Sequence, residues 1–191
     1  MSTRPPLILA STSVYRRDLL ARLRMPFTVV SPQVDETAHS GETPLATCIR
    51  LAMAKAKAVA RMNPNAVVIG SDQVAALDGV AVSKPGTHAA ATAQLQSMRG
   101  RTVMFHTAVA VAHEAKAWAQ GDVASVAVRF RIVSDAQIER YLQTEQPYDC
   151  AGSAKSETLG VALRASIDSA DPPALIGLPL IRTCALLREA G

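Results

Sequence analysis

Asp72 stands in "VVIGSDQVAALDG", directly after an apolar run and the small residues Gly70 and Ser71. A carboxylate delivered there cannot face a core without a large desolvation cost. It can hold Mg²⁺ or Mn²⁺, or orient and deprotonate a water. The competing use is an Asx turn that stabilises the next bend. Asp35 and Glu36, in "SPQVDETAHSGETP", form a second acidic pair, suited to the same chemistry or to the dipole of the helix that follows.

Basic residues able to meet an anion lie in the same part of the chain. In "LILASTSVYRRDLL", residues 7–20, Ser11, Thr12 and Ser13 lead into a helix start, and Arg16 takes the third helical position, where a capping box would have an acid. An arginine in the first turn is mildly unfavourable unless an anion occupies the helix end. Backbone amides, hydroxyls and the guanidinium forks of Arg16 and Arg17 together suit a phosphate, with solvated surface arginines as the alternative. Lys84, just before Pro85 and Gly86 in "VSKPG", is a better ligand candidate than Lys55 and Lys57 on the Ala-rich "LAMAKAKAVA", since helical lysines are usually solvated. Lys155 and Glu157 lie in "CAGSAKSETLG", a pocket lip or a plain connection. His39, His88, His106 and His113 show no metal-ligand spacing and read as surface or core residues. Neither "GxxxxGK[ST]" nor "GxGxxG" occurs, which goes against a kinase, an ATPase motor and a dinucleotide oxidoreductase. The residues alone reach a hydrolase of phosphate esters or anhydrides.

The elements that must position these groups alternate. "PLILA", "FTVV" and "AVVIGSD" read as short buried strands, residues 14–24 and "TPLATCIRLAMAKAKAVARM" as helices, the latter entered through Thr43 and Pro44. "QVAALDG" then turns at Asp78-Gly79, and "THAAATAQLQSM" is a helix capped by Thr87. Alternation over residues 101–131 signals a long antiparallel hairpin turning near "HEAKA". "SDAQIERYLQT" is a helix capped by Ser134, "GLPLIRTCALLREAG" a closing helix, and residues 147–179 an irregular connection. The expected fold is α/β: a mixed twisted sheet with flanking helices, one domain over 1–191 in two lobes around a cleft. Ligands of such sheets bind beyond the carboxyl ends of strands, where the loops starting at Ala10 and Gly70 are expected.

Composition limits the alternatives. The chain has 191 residues, 49% hydrophobic and 19% charged, and a net charge of +4 without a long Lys/Arg block, so it reads as globular with no nucleic-acid tail. The seven aromatic residues (one Trp, three Tyr, three Phe) are too scattered for a base-stacking platform. Cys48, Cys150 and Cys184 lack any CxxC pair, which favours reduced thiols. "MSTRPPLILAS" has no signal-peptide core and no run is long enough to span a membrane, so a cytoplasmic protein is expected.

The ordered set "LILASTSVYRRDLL", "VDE", "LAMAKAKAVA", "IGSDQVAALDG", "SKPG", "AGS" and "GLPL" resembles the Maf family of nucleoside triphosphate pyrophosphatases over essentially the whole chain. The resemblance implies an ITPase-like fold, a homodimer, and cleavage between the α and β phosphates with a divalent cation, Mg²⁺, Mn²⁺ or Co²⁺. It places Asp72 on the family's catalytic acid. Ser11, Arg16, Lys55 and Lys84 fall on phosphate-contacting positions, Glu36 on an acidic site residue, and Arg17 on a position of less defined role. Val14 replaces the usual proline after the second serine, and Ser83 a glycine before Lys84. Three positions speak to the base. Where the dTTP/UTP-cleaving branch has an arginine, a threonine-type residue and a glutamine, this chain has Tyr15, Gln73 and Glu157. It therefore resembles the branch that cleaves 7-methylguanosine triphosphate. Methylation at N7 makes guanine cationic, which favours an aromatic face and a carboxylate over an arginine. The alternatives are a dTTP/UTP pyrophosphatase and a nucleotide-binding regulator of septum formation with little turnover.

Overall fold

The computed structural model describes residues 5–191, so "MSTR" of the amino-terminal reading lies outside it. The strands are β1 (Leu7–Ala10), β2 (Thr28–Val30), β3 (Val67–Leu77), β4 (Val80–Val82), β5 (Thr102–His113), β6 (Trp118–Phe130) and β7 (Arg164–Asp168). The helices are α1 (Val14–Ala21), α2 (Pro44–Met62), α3 (His88–Met98), α4 (Asp135–Glu145) and α5 (Leu180–Ala190). One mixed sheet runs β2-β1-β3-β5-β6-β7, with β4 paired to the end of β3. β1 is parallel to β2 and β3; every other pairing is antiparallel. The α/β class expected from the sequence is what the chain adopts.

β3 explains the cleft. β5 pairs along one of its edges from Val68 to Ala76. On the other edge β1 pairs with Val67–Gly70 and β4 with Ala75–Leu77, so Ser71 to Val74 have no strand beside them there. Two expectations are corrected by this. Gly70 does not begin a loop, and Asp72 is neither at a strand end nor in an Asx turn: β3 continues to Leu77 because β5 offers a continuous ladder, and the chain reverses only at Asp78 and Gly79, both at positive φ. The irregular stretch after α4 also holds a strand, β7, of which four residues out of five are exposed.

Helix boundaries follow their caps. Ser13, Thr43, Thr87 and Ser134 each accept a backbone N–H of the first turn, and Ser134 with Gln137 completes a capping box. α1 stops at Ala21, three residues short of the expected end, and the chain turns at Arg24 with φ 53°. The buried stripe of α2 (Cys48, Leu51, Ala52, Lys55, Ala56, Val59, Ala60) recurs at helical spacing and packs on Gly70, Ala108, Ala110 and Ala112 of the sheet. Small residues on both sides let the helix axis come close. A Cβ at Gly70 would lie 2.4 Å from both the Ala52 carbonyl oxygen and the Ala56 nitrogen. On the opposite face Leu19 and Leu20 of α1, Leu186 of α5 and Leu178 before it pack on Leu9 and Ile69 of the sheet, all buried, each such side chain contributing about 2 kcal/mol. α3 and α4 cover the far end around Phe105, Val126 and Val128. Among the described residues no helix is long and apolar enough to cross a membrane.

Candidate active site

A cavity of about 870 Å³ opens along the unpaired stretch of β3 and takes in Ser11, Tyr15, Arg16, Glu36, Lys55, Asp72, Gln73, Lys84 and Glu157. The residues that the family resemblance assigns to catalysis, phosphate or base thus line one space, and Asp35 stands outside it. So does Arg17, which pairs at the surface with Asp18.

Even-numbered β3 residues face α2, so Asp72 meets Lys55, one turn beyond Leu51 on the buried stripe. The Lys55 ammonium lies 2.7 Å from Asp72 Oδ1 and 2.8 Å from Glu36 Oε1. Lys55 and Asp72 are 4% and 6% exposed, against the expectation of a solvated helical lysine. A charge that deep survives because it is paired twice. Asp72 Oδ2 makes no hydrogen bond to the described protein and is left to the cavity. The loop carrying Glu36 is fastened to α2 by Arg50, which donates to both Glu42 oxygens at 2.7 Å and to the Thr37 carbonyl at 3.0 Å. Those bonds, with the His39 N–H, hold the Glu42 carboxyl down at about 2. Asp35 is an Asx-type cap for Thr37 N–H.

Beneath the α1 end, Ser11 Oγ accepts the Ser13 N–H at 3.1 Å and stands 3.5 Å from an Arg16 terminal nitrogen. Arg16 Nε donates to the Gly177 carbonyl at 2.9 Å, and its terminal nitrogens form no ion pair among the described residues where Arg16 lines the cavity. Burial lowers its pKa, and the charges of Asp72, Cys48 and Glu36 oppose that. Lys84 is exposed on the facing loop and forms no ion pair among the described residues.

Odd-numbered β3 residues look the other way. Gln73 Nε2 donates to Thr107 Oγ1 and to the Ala174 carbonyl, both at 2.9 Å, and Ser71 Oγ donates to the Ala108 and Gly177 carbonyls. The donor end of Gln73 is therefore spent on the Pro172–Gly177 wall. Tyr15 is half-buried; burial first, then Cys150, Asp149 and Glu157, raises its pKa, so the ring is a neutral phenol. Its hydroxyl points at Asp149 Oδ2, 3.5 Å away.

Sequence reasoning missed Asp149, Cys150, Thr107 and the Gly177 carbonyl. Cys150 and Gly177 stand in stretches quoted for other residues, and all four reach the site through contacts more than 30 residues distant in the chain. It also missed Cys48, whose thiol lies over the β3–β5 ladder, donating to the Asp72 and His106 carbonyls and accepting the Ala108 N–H within 3.2 Å. Burial pushes that thiol up to about 12. All three cysteines are free.

The family model described as "Maf-like protein" matches residues 6–190. A 7-methyl-GTP pyrophosphatase of Albidiferax ferrireducens is 63% identical over 185 residues, 97% of this chain and 93% of its own. One of Polaromonas sp. is 60% identical over 99% of this chain and 86% of its own. Among solved structures, a HAM1 protein from Coxiella burnetii overlaps 68% of this chain and 74% of its own at a TM-score of 0.46 and 14% identity, a distant likeness. A family model spanning nearly every residue, together with relatives of this identity along their whole length, establishes that the chain belongs to the Maf family.

Proposed function

We propose that this chain is a nucleoside triphosphate pyrophosphatase that hydrolyses 7-methyl-GTP to 7-methyl-GMP and diphosphate. The observation that carries the base assignment is the polarity of the cavity. Arg16 and Lys84 supply cations toward one part of it, while Tyr15 and Glu157 supply an aromatic face and a carboxylate without an ion-pair partner elsewhere. An anionic triphosphate joined to a cationic purine matches both. Neutral thymine or uracil would leave the Glu157 carboxylate without a charged partner.

The chain's own groups divide the work. Lys55 fixes Asp72 Oδ1, leaving Oδ2 to orient a water and accept its proton as the water attacks phosphorus. The Arg16 fork and Lys84 bind phosphate oxygens and stabilise the charge that gathers on them as the α–β anhydride bond breaks. Gln73 holds the Pro172–Gly177 wall, and with it the Gly177 carbonyl that orients Arg16. Lys55 takes one oxygen each of Asp72 and Glu36 and draws the two carboxylates together, and their other oxygens would hold a divalent cation jointly with phosphate oxygens. When bound, Mg²⁺, Mn²⁺ or Co²⁺ would neutralise charge on the departing diphosphate. Among the described residues no group of three or more His, Cys, Asp or Glu could hold an ion by itself, so the fit is to a cation that arrives with its nucleotide. The proposal includes a cytoplasmic homodimer, as the family resemblance implies.

Diphosphate release from a panel of 7-methyl-GTP, GTP, dTTP and UTP, each with Mg²⁺, Mn²⁺ or Co²⁺, tests the reading. Fastest turnover on 7-methyl-GTP is expected. A wide margin for dTTP and UTP would overturn the base assignment, and nucleotide binding without diphosphate release under any metal would overturn the enzymatic one.

A further inference from the structure

The carboxylate of Asp149 has no part in the chemistry described so far, yet it stands on the wall of the same cavity. Its segment is held in place from behind. The Tyr148 carbonyl accepts the Gly86 N–H at 3.0 Å, and the Tyr148 hydroxyl meets His88 Nδ1 at 3.0 Å, whose other ring nitrogen meets Glu139 at 2.9 Å. This chain ties the rim residues 148–150 to the turn after Lys84. Two donors then aim at the Asp149 carboxylate from the cavity side. The Tyr15 hydroxyl lies 3.5 Å from Oδ2, and the Cys150 thiol 3.4 Å from Oδ1.

No Lys, Arg or His forms an ion pair with Asp149 or with Glu157 among the described residues, although the chain as a whole is basic at +4. Lys155, the nearest basic residue in sequence to Glu157, turns its ammonium to the Glu145 carbonyl at 3.3 Å. Tyr15 thus has two carboxylates around it that no direct ion pair neutralises among the described residues. A neutral guanine placed against this ring can donate hydrogen bonds to them but carries no net charge for them to attract. A base with a delocalised positive charge is attracted by both, and its exocyclic donors have oxygen acceptors to meet.

We propose that Asp149 is a second specificity residue, which together with Glu157 selects an N7-methylated, cationic guanine over guanine itself. The inference rests on the 7-methyl-GTP reading and names which side chains enforce it. Tyr15 has two duties in this arrangement, offering its face to the base and its hydroxyl to Asp149.

The test compares 7-methyl-GTP with GTP in the wild type, Asp149→Asn and Asp149→Glu. Asp149 is exposed, so the amide should fold as the parent does. Asp149→Asn is expected to raise KM for 7-methyl-GTP about fivefold, the size of a partly solvated ion pair, with KM for GTP within about twofold and kcat unchanged on both. Asp149→Glu, which keeps the charge, should retain most of the preference. A wild-type preference for 7-methyl-GTP that survives in Asp149→Asn, or a parallel change on both nucleotides, overturns the role of Asp149 alone. A wild type that prefers neutral bases overturns the underlying reading and this inference together.

Discussion

Lys55 holds two carboxylates with one ammonium, and that single contact decides what each residue near it can do. It takes up one oxygen of Asp72 and leaves the other to the cavity. Asp72→Asn keeps the shape and a bond to Lys55 but removes the proton acceptor. We expect kcat on 7-methyl-GTP to fall about 10³-fold, with the dissociation constant from equilibrium dialysis changed less than about threefold. Undiminished turnover would remove Asp72 from the mechanism. Residues of this kind were legible in the sequence because their types are out of place locally: an acid after an apolar strand, an arginine in a first turn. The side chains that escaped notice are locally ordinary. Asp149 stands in a plain connection after α4, and only its approach to Tyr15, 134 positions away, gives it meaning. For Lys55 the residues alone favour solvent and only the family resemblance places it in the site; its burial follows from the stripe it shares with Ala52 and Ala56.

At the scale of elements, the contact between α2 and β3 is what brings Lys55 to Asp72. It depends on a missing side chain. Gly70→Ala would drive a methyl group to 2.4 Å from the backbone of α2. The helix must lift, so the variant should lose about 1–3 kcal/mol of stability and most of its activity together, read by thermal unfolding and diphosphate release. A variant of normal stability and activity would show the approach to be less tight than drawn. Most elements could be read from periodicity and caps, since Thr43, Thr87 and Ser134 announce their helices. β7 could not, because "RASID" has one large apolar residue and owes its extended form to pairing with β6. The length of β3 was hidden for a similar reason: "QVAAL" has no strong pattern, and Thr107, His106 and Phe105 of β5 hold it straight.

For the whole molecule, the cavity draws its walls from both sides of the gap along β3, with α1 and the loop leading into it on one side and β4 and the Cys150–Glu157 segment on the other. A nucleotide lying across them ties distant parts of the chain together and binds only the folded state. In Asp72→Asn, where turnover does not consume it, 7-methyl-GTP at about 100 times its dissociation constant should add about 2.7 kcal/mol. For a chain of this size that is a rise of about 5–10 °C in Tm. GTP at the same concentration should give a smaller shift, and an equal one would contradict selection for the charged base. The bare edge of β3 has a consequence for engineering. Each further ladder bond made there, by lengthening β1 or β4 toward Ser71 and Val74, would add about 0.5–1.5 kcal/mol while closing the entrance to substrate. Rigidity and throughput draw on the same few peptide groups, so heat-selected variants of this fold should repair the seam and fall silent as enzymes.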